Sequence, residues 1–591
     1  MHTPMLRHPG SGDGAVVLPV PSPESIRTAL LVEPSVSSSA INNGFRFIKY
    51  ESPVGLIHDL PNLSRLGKIS AMHATNRTKP NVALTASCFA VACVGFAWLW
   101  SDYRAYWLDD AFITFRYSLN LATGAGPVYN VGESVEGYTS FLWMLLAAIP
   151  FAVVQVKPAL VAIKALAFVS SLWVLYRVWT FPSPTGSTRR WGVLILATQP
   201  VFILNCGDGM ETPLFLVLMV ECLLALQRSP GRTSGTVVGL VTAGMILTRP
   251  EALPLLVALP VLVWFAHRGE PGQAGGVRDW LGGFVVAGLG VVVVHEMFRW
   301  GYYGHPFPNT YYAKATGTQV ERLASGVRDI SRFMFENPWR APVAIWVALG
   351  LALVATRRLA LRLDSKVVLW LGALWLMIVF RVSFDLWSGS AAMGRHRFLA
   401  PLLVPLMILA DEGARMLWRG TGRYVVVALC ALCLYYNVTG HLNHEWSIGE
   451  YRKGLERGHI ALGTWLRETY PPESLLAVGD AGTIPFYSGM TTVDMWGLND
   501  ATIARLPGEY GTKPEMPDYV MSRQPDVIVL WNQVEFVRAD AGKLVAGSEI
   551  DRQLVQHPSF KRDYRFVGEY VFRKHAPNVP GYYLNVFERQ R

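Results

Sequence analysis

Apolar residues in this chain gather in long runs, each followed by a short polar or basic stretch. Twelve runs approach the roughly 20 apolar residues that a bilayer-crossing helix needs: 82–100, 139–156, 159–178, 191–206, 211–227, 234–248, 251–267, 281–299, 341–356, 367–384, 398–414 and 424–437. The pattern predicts a polytopic α-helical membrane protein. Basic residues test the count, because Lys and Arg collect in cytoplasmic loops. Arg77 with Lys79, Arg228 with Arg232, Arg268 with Arg278, Arg357 to Lys366, and Arg415 to Arg423 all fall between runs. From an outer segment 101–138 to an inner segment 357–366 the number of crossings is odd, yet eight runs lie between. The cluster Arg177, Arg189 and Arg190 locates the discrepancy in 139–178, where two runs make one net crossing. About eleven spans result, with the N-terminus cytoplasmic. Segments 101–138, 207–211, 249–251, 300–340 and 385–397 then face outward, as does the tail from about 440.

The period changes in that tail. Helical spacing runs through 451–469, with Tyr451, Leu455, Ile460, Leu462, Trp465 and Leu466 on one face. Strand-like runs follow at Leu475–Val478, Thr491–Met495, Asp526–Trp531, Phe566–Phe572 and Tyr582–Phe587. Residues 439–591 are therefore expected to form a soluble α/β domain outside the membrane, after a membrane module over 81–438. Gly479-Asp480-Ala481-Gly482 directly follows a strand, a place where ligands often sit. Residues 1–80, rich in Ser, Pro, Gly and Asn, read as a disordered extension, or as an over-called start ahead of Met72.

Composition narrows the class. Of 591 residues, 51% are hydrophobic and 16% charged, against about 25% charged in an ordinary globular protein. A soluble multidomain enzyme and a disordered scaffold are excluded. The net charge of +10 lies in loops between apolar runs, which is a topology signal and not a nucleic-acid footprint. Six cysteines, all in or at the end of apolar runs, are too few for a disulfide framework.

Candidate chemistry collects at the outer ends of the spans. Asp109 and Asp110 stand just beyond the first span and open a stretch with Phe112, Phe115, Leu119 and Ala122 at helical spacing, stopped by Gly124. That spacing predicts an amphipathic helix lying on the membrane. Capping it takes one Asp, and two adjacent carboxylates at an interface are costly unless a cation or substrate uses them. Arg249 and Glu251 flank Pro250; His305, Asn309, Tyr311, Tyr312 and Lys314 fall in one outer loop; Arg395, His396 and Arg397 end another. Outer arginines run against the positive-inside tendency, and a bound phosphate supplies the force to hold them, since guanidinium pairs with it bidentately. Arg249, Lys314, Arg395 and Arg397 are therefore candidate phosphate ligands. Arg116, Glu136, Glu211, Asn309, Tyr311 and His396 are candidate substrate contacts, with helix capping the alternative for Glu211.

The first-loop pattern Asp109-Asp110, Arg116, Asn120-Leu121, Gly124, Gly126-Pro127-Val128, Asn130, Gly132-Glu133 and Val135-Glu136 resembles the mycobacterial terminal β-(1→2)-arabinofuranosyltransferase family and its bacterial relatives. Gly209–Thr212, Pro308-Asn309-Thr310 with Ala313-Lys314, and Arg397-Phe398 with Pro401 fit the same set. The resemblance implies a GT-C fold and a glycosyltransferase that uses a polyprenyl-phosphate sugar. It implies Asp109 as the base that activates the acceptor, with Asp110 as partner or the two exchanged. Arabinofuranose is the implied sugar, with a hexose or aminosugar left open. The relatives' acid shortly before Arg-Phe has no counterpart in Gly389-Ser390-Ala391-Ala392. No cofactor is required, and a divalent metal at the paired carboxylates is permitted.

Three functions compete. A lipid-linked-sugar glycosyltransferase on the outer face, acting on a cell-envelope glycan, uses every group above. A polyprenyl-glycan transporter or flippase predicts charges at mid-membrane depth, whereas here they gather at outer ends. A non-enzymatic glycan-binding membrane protein leaves Asp109 and Asp110 without a role.

Overall fold

A computed structural model describes residues 82–185, 191–270, 272–315, 317–335, 342–361, 364–389, 396–535, 545–575 and 579–590. The 1–80 extension, Arg189, Arg190, Arg362, residues 390–392 and the phosphate-ligand candidate Arg395 lie outside the described residues.

The apolar runs are helices. Among the described residues, five are long and apolar enough to cross a membrane: Val156–Trp179, Pro250–His267, Ala274–Tyr303, Ser365–Ser388 and Gly422–Thr469. Phe141–Val153 and Thr212–Ala225 are apolar but shorter. The run 191–206 is two helices, Trp191–Thr198 and Pro200–Gly207. Pro200 has no N–H for the preceding turn, and the Gln199 side chain accepts from Val201 N–H instead. Between the helices lies one apolar core in which Phe96, Phe202, Leu223, Leu374 and Leu409 are fully buried. Lys164, within Val156–Trp179, donates to the carbonyls of Tyr106 and Gly207 at 2.6 Å each, so the first part of that helix is level with both segments.

The loop 300–340 is largely helical, as Asn309–Lys314 and Gln319–Phe335. The second helix packs closely on Ser365–Ser388, where a Cβ on Gly326 would lie 2.5 Å from the Asp385 carbonyl oxygen.

All five expected strands are present: β1 Leu475–Val478, β2 Thr491–Asp494, β3 Val527–Asn532, β4 Tyr564–Arg573 and β5 Tyr582–Arg589. They form one mixed sheet in the order β2-β1-β3-β5-β4. β1 runs parallel to β2 and β3, while β5 is antiparallel to β3 and β4. Leu476, Val478, Val527, Val529, Leu584 and Val586 bury one face; Ala477, Ile528, Leu530 and Phe587 bury the other.

The expected boundary near 438 falls inside a continuous helix, Gly422–Thr469, which has a π-helical turn at Leu455–Ile460; Lys79–Arg591 forms one compact unit. One expectation changes. The helix Asp109–Ala122 does not lie with one face in solvent. Ala111 through Ser118 are all buried, because Phe486 and Tyr487 of the tail pack on Phe112 while the Ser118 hydroxyl reaches the carbonyl of Met144.

Candidate active site

Asp109 and Asp110 form the first turn of their helix, after Leu108 in extended backbone. Four unpaired N–H groups and the positive dipole end favour negative charge there. Neither Asp is the cap residue, so capping does not account for the pair. Both line a cavity of about 940 Å³. Lys314 and Arg322 line it from the 300–340 segment, and Phe384, Trp387 and Phe398 form an apolar wall. The tail contributes Gly479, Asp480, Ala481, Trp496, Leu498 and Tyr510. Neither the helical module nor the sheet encloses this space alone.

The two carboxylates differ in setting. Asp109 Oδ1 accepts from Thr483 N–H at 2.8 Å, and Asp109 N–H donates to Tyr451 Oη at 3.2 Å. Gly482 approaches so closely that a Cβ there would lie 2.6 Å from Asp109 Oδ2. Burial lifts the Asp109 carboxyl above its usual value, with His459 opposing and Asp480 reinforcing. Asp110 instead lies in the field of Lys314, Arg397 and Tyr510. Burial lowers the Lys314 ammonium, and Asp110 works against that. Arg322 also lines the cavity.

A domain of unknown function (DUF8728) matches residues 446–587. A terminal β-(1→2)-arabinofuranosyltransferase of Corynebacterium glutamicum is 27% identical over 404 residues, 62% of this chain and 57% of that protein. Its counterpart of the same name in Mycobacterium tuberculosis is 26% identical over 389 residues, 58% of this chain and 59% of that one. The chain thus spans under two thirds of the curated relatives it matches. Among solved structures, the oligosaccharyltransferase of Archaeoglobus fulgidus in its apo form superposes with a TM-score of 0.53 at 10% identity, over 85% of this chain and 88% of that one. ArnT from Cupriavidus metallidurans, bound to undecaprenyl phosphate, superposes with a TM-score of 0.51 at 12% identity, over 86% and 98%. The chain has the GT-C fold.

Within this GT-C framework several sequence-predicted contacts prove to be internal. Arg116 gives Nε to the Tyr129 carbonyl, Nη1 to the Pro485 carbonyl and Nη2 to Asn130 Oδ1 and the Met490 carbonyl. Its guanidinium docks the tail, and Arg116 does not line the cavity. Glu136 is held by Arg299 at 2.7 and 3.2 Å, both buried. Asn309 Nδ2 donates to the carbonyls of Gly497, Leu498 and Asp500, and its Oδ1 accepts from Arg505. These two residues also fix architecture. Tyr311 does line the cavity. His396 does not; its Nδ1 lies 3.4 Å from Asp329 and its ring meets Phe333.

The phosphate candidates divide. Arg249 Nε donates to Glu211 at 2.9 Å and Nη2 to Thr212, while Arg397 Nη2 bridges both Glu211 oxygens at 2.7 and 2.9 Å. Two buried arginines share one buried carboxylate, so Glu211 is their counter-ion, and neither arginine lines the cavity. Lys314 does. Sequence reasoning missed Arg322, which sits in an amphipathic stretch where nothing marks it out. It also missed His459, whose Nε2 is 2.9 Å from Asp480 Oδ2. Asp480 itself carried a signal, the Gly-Asp-Ala-Gly turn after β1.

Among the described residues, no three His, Cys, Asp or Glu side chains converge as metal ligands. A second depression of about 620 Å³ lies across the sheet, where Arg565 pairs with Glu588 and Arg589 with Asp526.

Proposed function

We propose that this chain is a membrane glycosyltransferase that moves a sugar from a polyprenyl-phosphate donor to a glycan hydroxyl at the outer face of a bacterial cytoplasmic membrane. The observation that carries this reading is a single cavity holding a carboxylate pair, two cations and an apolar wall. Asp109 takes the proton of the acceptor hydroxyl as its oxygen bonds to the anomeric carbon. The bond from that carbon to the phosphate oxygen breaks, and the lipid phosphate leaves with the electron pair. It is already a good leaving group, so no general acid is needed. A placed base contributes about 10²–10⁴-fold. Lys314 and Arg322 stand where the phosphate's charge develops, which is where cations accelerate. Phe384, Trp387 and Phe398 receive the first isoprene units. The names of the matched relatives support arabinofuranose as the sugar.

Eleven crossings, with residues 101–138 and the tail outside, fit the same reading. A helix of 13 residues, Phe141–Val153, is about 20 Å long at 1.5 Å per residue, short of the roughly 30 Å hydrocarbon core. Lys164 bonded to Tyr106 and Gly207 starts the following helix at the outer level. Those two runs then give one net crossing.

The test is transfer by the purified full chain. Polyprenyl-phosphate arabinofuranose and hexose donors are offered with an oligosaccharide acceptor. Product with one donor and an inverted anomeric centre is the expected result. No product with any donor overturns the reading, and a retained configuration removes Asp109 from the role of base. Arg322→Ala should raise the donor KM more than Arg322→Lys, which keeps charge but loses the fork.

A further inference from the structure

The tail does more than close the cavity. His459 lies in the π-helical turn Leu455–Ile460 of the long helix, a local geometry that recurs at functional sites. The turn places its imidazole edge-on to Phe572 at 4.8 Å, and Tyr582 lies 6.1 Å away. Its Nε2 is 2.9 Å from Asp480 Oδ2. Tyr582 Oη donates to both Asp480 oxygens at 2.8 and 2.6 Å. Three residues further along the same turn, Thr483 N–H holds Asp109 Oδ1. One short loop therefore grips the histidine at one end and the catalytic carboxylate at the other, and Gly482 between them leaves Asp109 no room to withdraw.

We infer that His459, clasped by Asp480 and Tyr582, is a positioning residue whose positive charge keeps the Asp109 carboxylate ionised and directed into the cavity. This rests on the transferase reading above. His459 takes up no proton during transfer; the proton from the acceptor stays on Asp109 until product leaves. The groups facing the pair are Asp480, Tyr582 and Tyr129, with Asp551 beyond Asp480 and the Arg457 guanidinium turned away onto the Phe572 carbonyl. Burial alone would lower His459, but Asp480 outweighs it and holds the imidazole above its usual value. Burial would raise Asp480, and His459 brings it below. Each thus favours the charged form of the other, and among the described groups the largest influence opposing burial at Asp109 is His459.

The experiment is the pH profile of kcat/KM for the full-length protein in transfer from a polyprenyl-phosphate sugar. His459→Gln removes the cation and leaves Asp480 uncompensated beside Asp109, and both changes raise the Asp109 pKa. The acidic limb should move up by about one pH unit, a tenfold loss on that limb, with little change on the plateau. His459→Gln/Asp480→Asn, which deletes both charges, should recover most of the shift. Asp480→Asn alone leaves a buried histidine without its anion and should move the limb the same way by less; it remains informative if His459→Gln does not fold. A limb unmoved in every folded variant, or a uniform loss at all pH values, overturns the inference. A wild type without transfer activity fails the transferase reading instead.

Discussion

Arg116 and Pro485 stand 369 residues apart in the chain and are joined by a 2.8 Å hydrogen bond from guanidinium to carbonyl. The same side chain also binds the Met490 carbonyl at 2.7 Å. A buried cation thus ties the helix that carries Asp109 and Asp110 to the tail that roofs them. Arg116→Leu strands several acceptors at once, each costing about 1–3 kcal/mol when left unsatisfied. The expected outcome is a marked loss of thermal stability in detergent, with faster proteolysis of the tail. Arg116→Lys should rescue little, because one ammonium cannot span the fork. Wild-type stability in Arg116→Leu would show that the docking rests on apolar contacts alone.

Asp109→Asn keeps the size of the side chain and the oxygen that accepts from Thr483. It removes charge and basicity. Turnover should fall about 10²-fold or more, with unfolding temperature and donor binding near wild type. Asp110→Asn should act mainly on donor KM, because Asp110 lies beside Lys314. The reverse pattern in steady-state kinetics would exchange the two roles.

Glu211 neutralises both Arg249 and Arg397. Glu211→Gln leaves two buried guanidinium groups against a neutral amide, and breaking a buried pair in this way costs about 3–5 kcal/mol. Unfolding measurements should rank Glu211→Gln well below Arg397→Lys. Equal stability of the two would mean that the arginines find another counter-ion.

Asp551 supplies a pH test for the tail. Burial pushes its carboxyl up to about 7, while the unfolded chain ionises near 3.9. From about pH 4 to 7 the folded protein keeps a proton that the unfolded chain has lost, so this residue's contribution to stability falls as pH rises through that window and is constant above it. Asp551→Asn abolishes the slope and keeps an acceptor for Trp531 N–H. Wild type should lose more stability than the variant between pH 4.5 and 7 in paired unfolding curves of the full chain. Parallel curves would mean that Asp551 ionises normally.

What the sequence revealed was local. Strand-like runs marked all five strands, and β1 and β3, apolar throughout, are buried on both faces. Apolar length marked the helices, and the Asp109-Asp110 pair stood out because adjacent carboxylates at a membrane edge need a reason. Contacts across the chain were illegible. Nothing near Glu136 announces Arg299, 163 residues away, and outer arginines look alike in sequence whether they meet Glu211 or open space. Arg322 and His459 fell in ordinary helical stretches. Their roles come from where Gly326 lets one helix settle and where a π-helical turn rotates another.

The unbroken helix Gly422–Thr469 has a mechanical consequence. At 1.5 Å per residue it is a rod about 70 Å long, with an apolar beginning and the tail that roofs the cavity on its end. A sheet on a tether could sweep outward to collect an acceptor; one mounted on a rod cannot. The cavity mouth then has one height above the bilayer, and on the transferase reading the acceptor has to come to it.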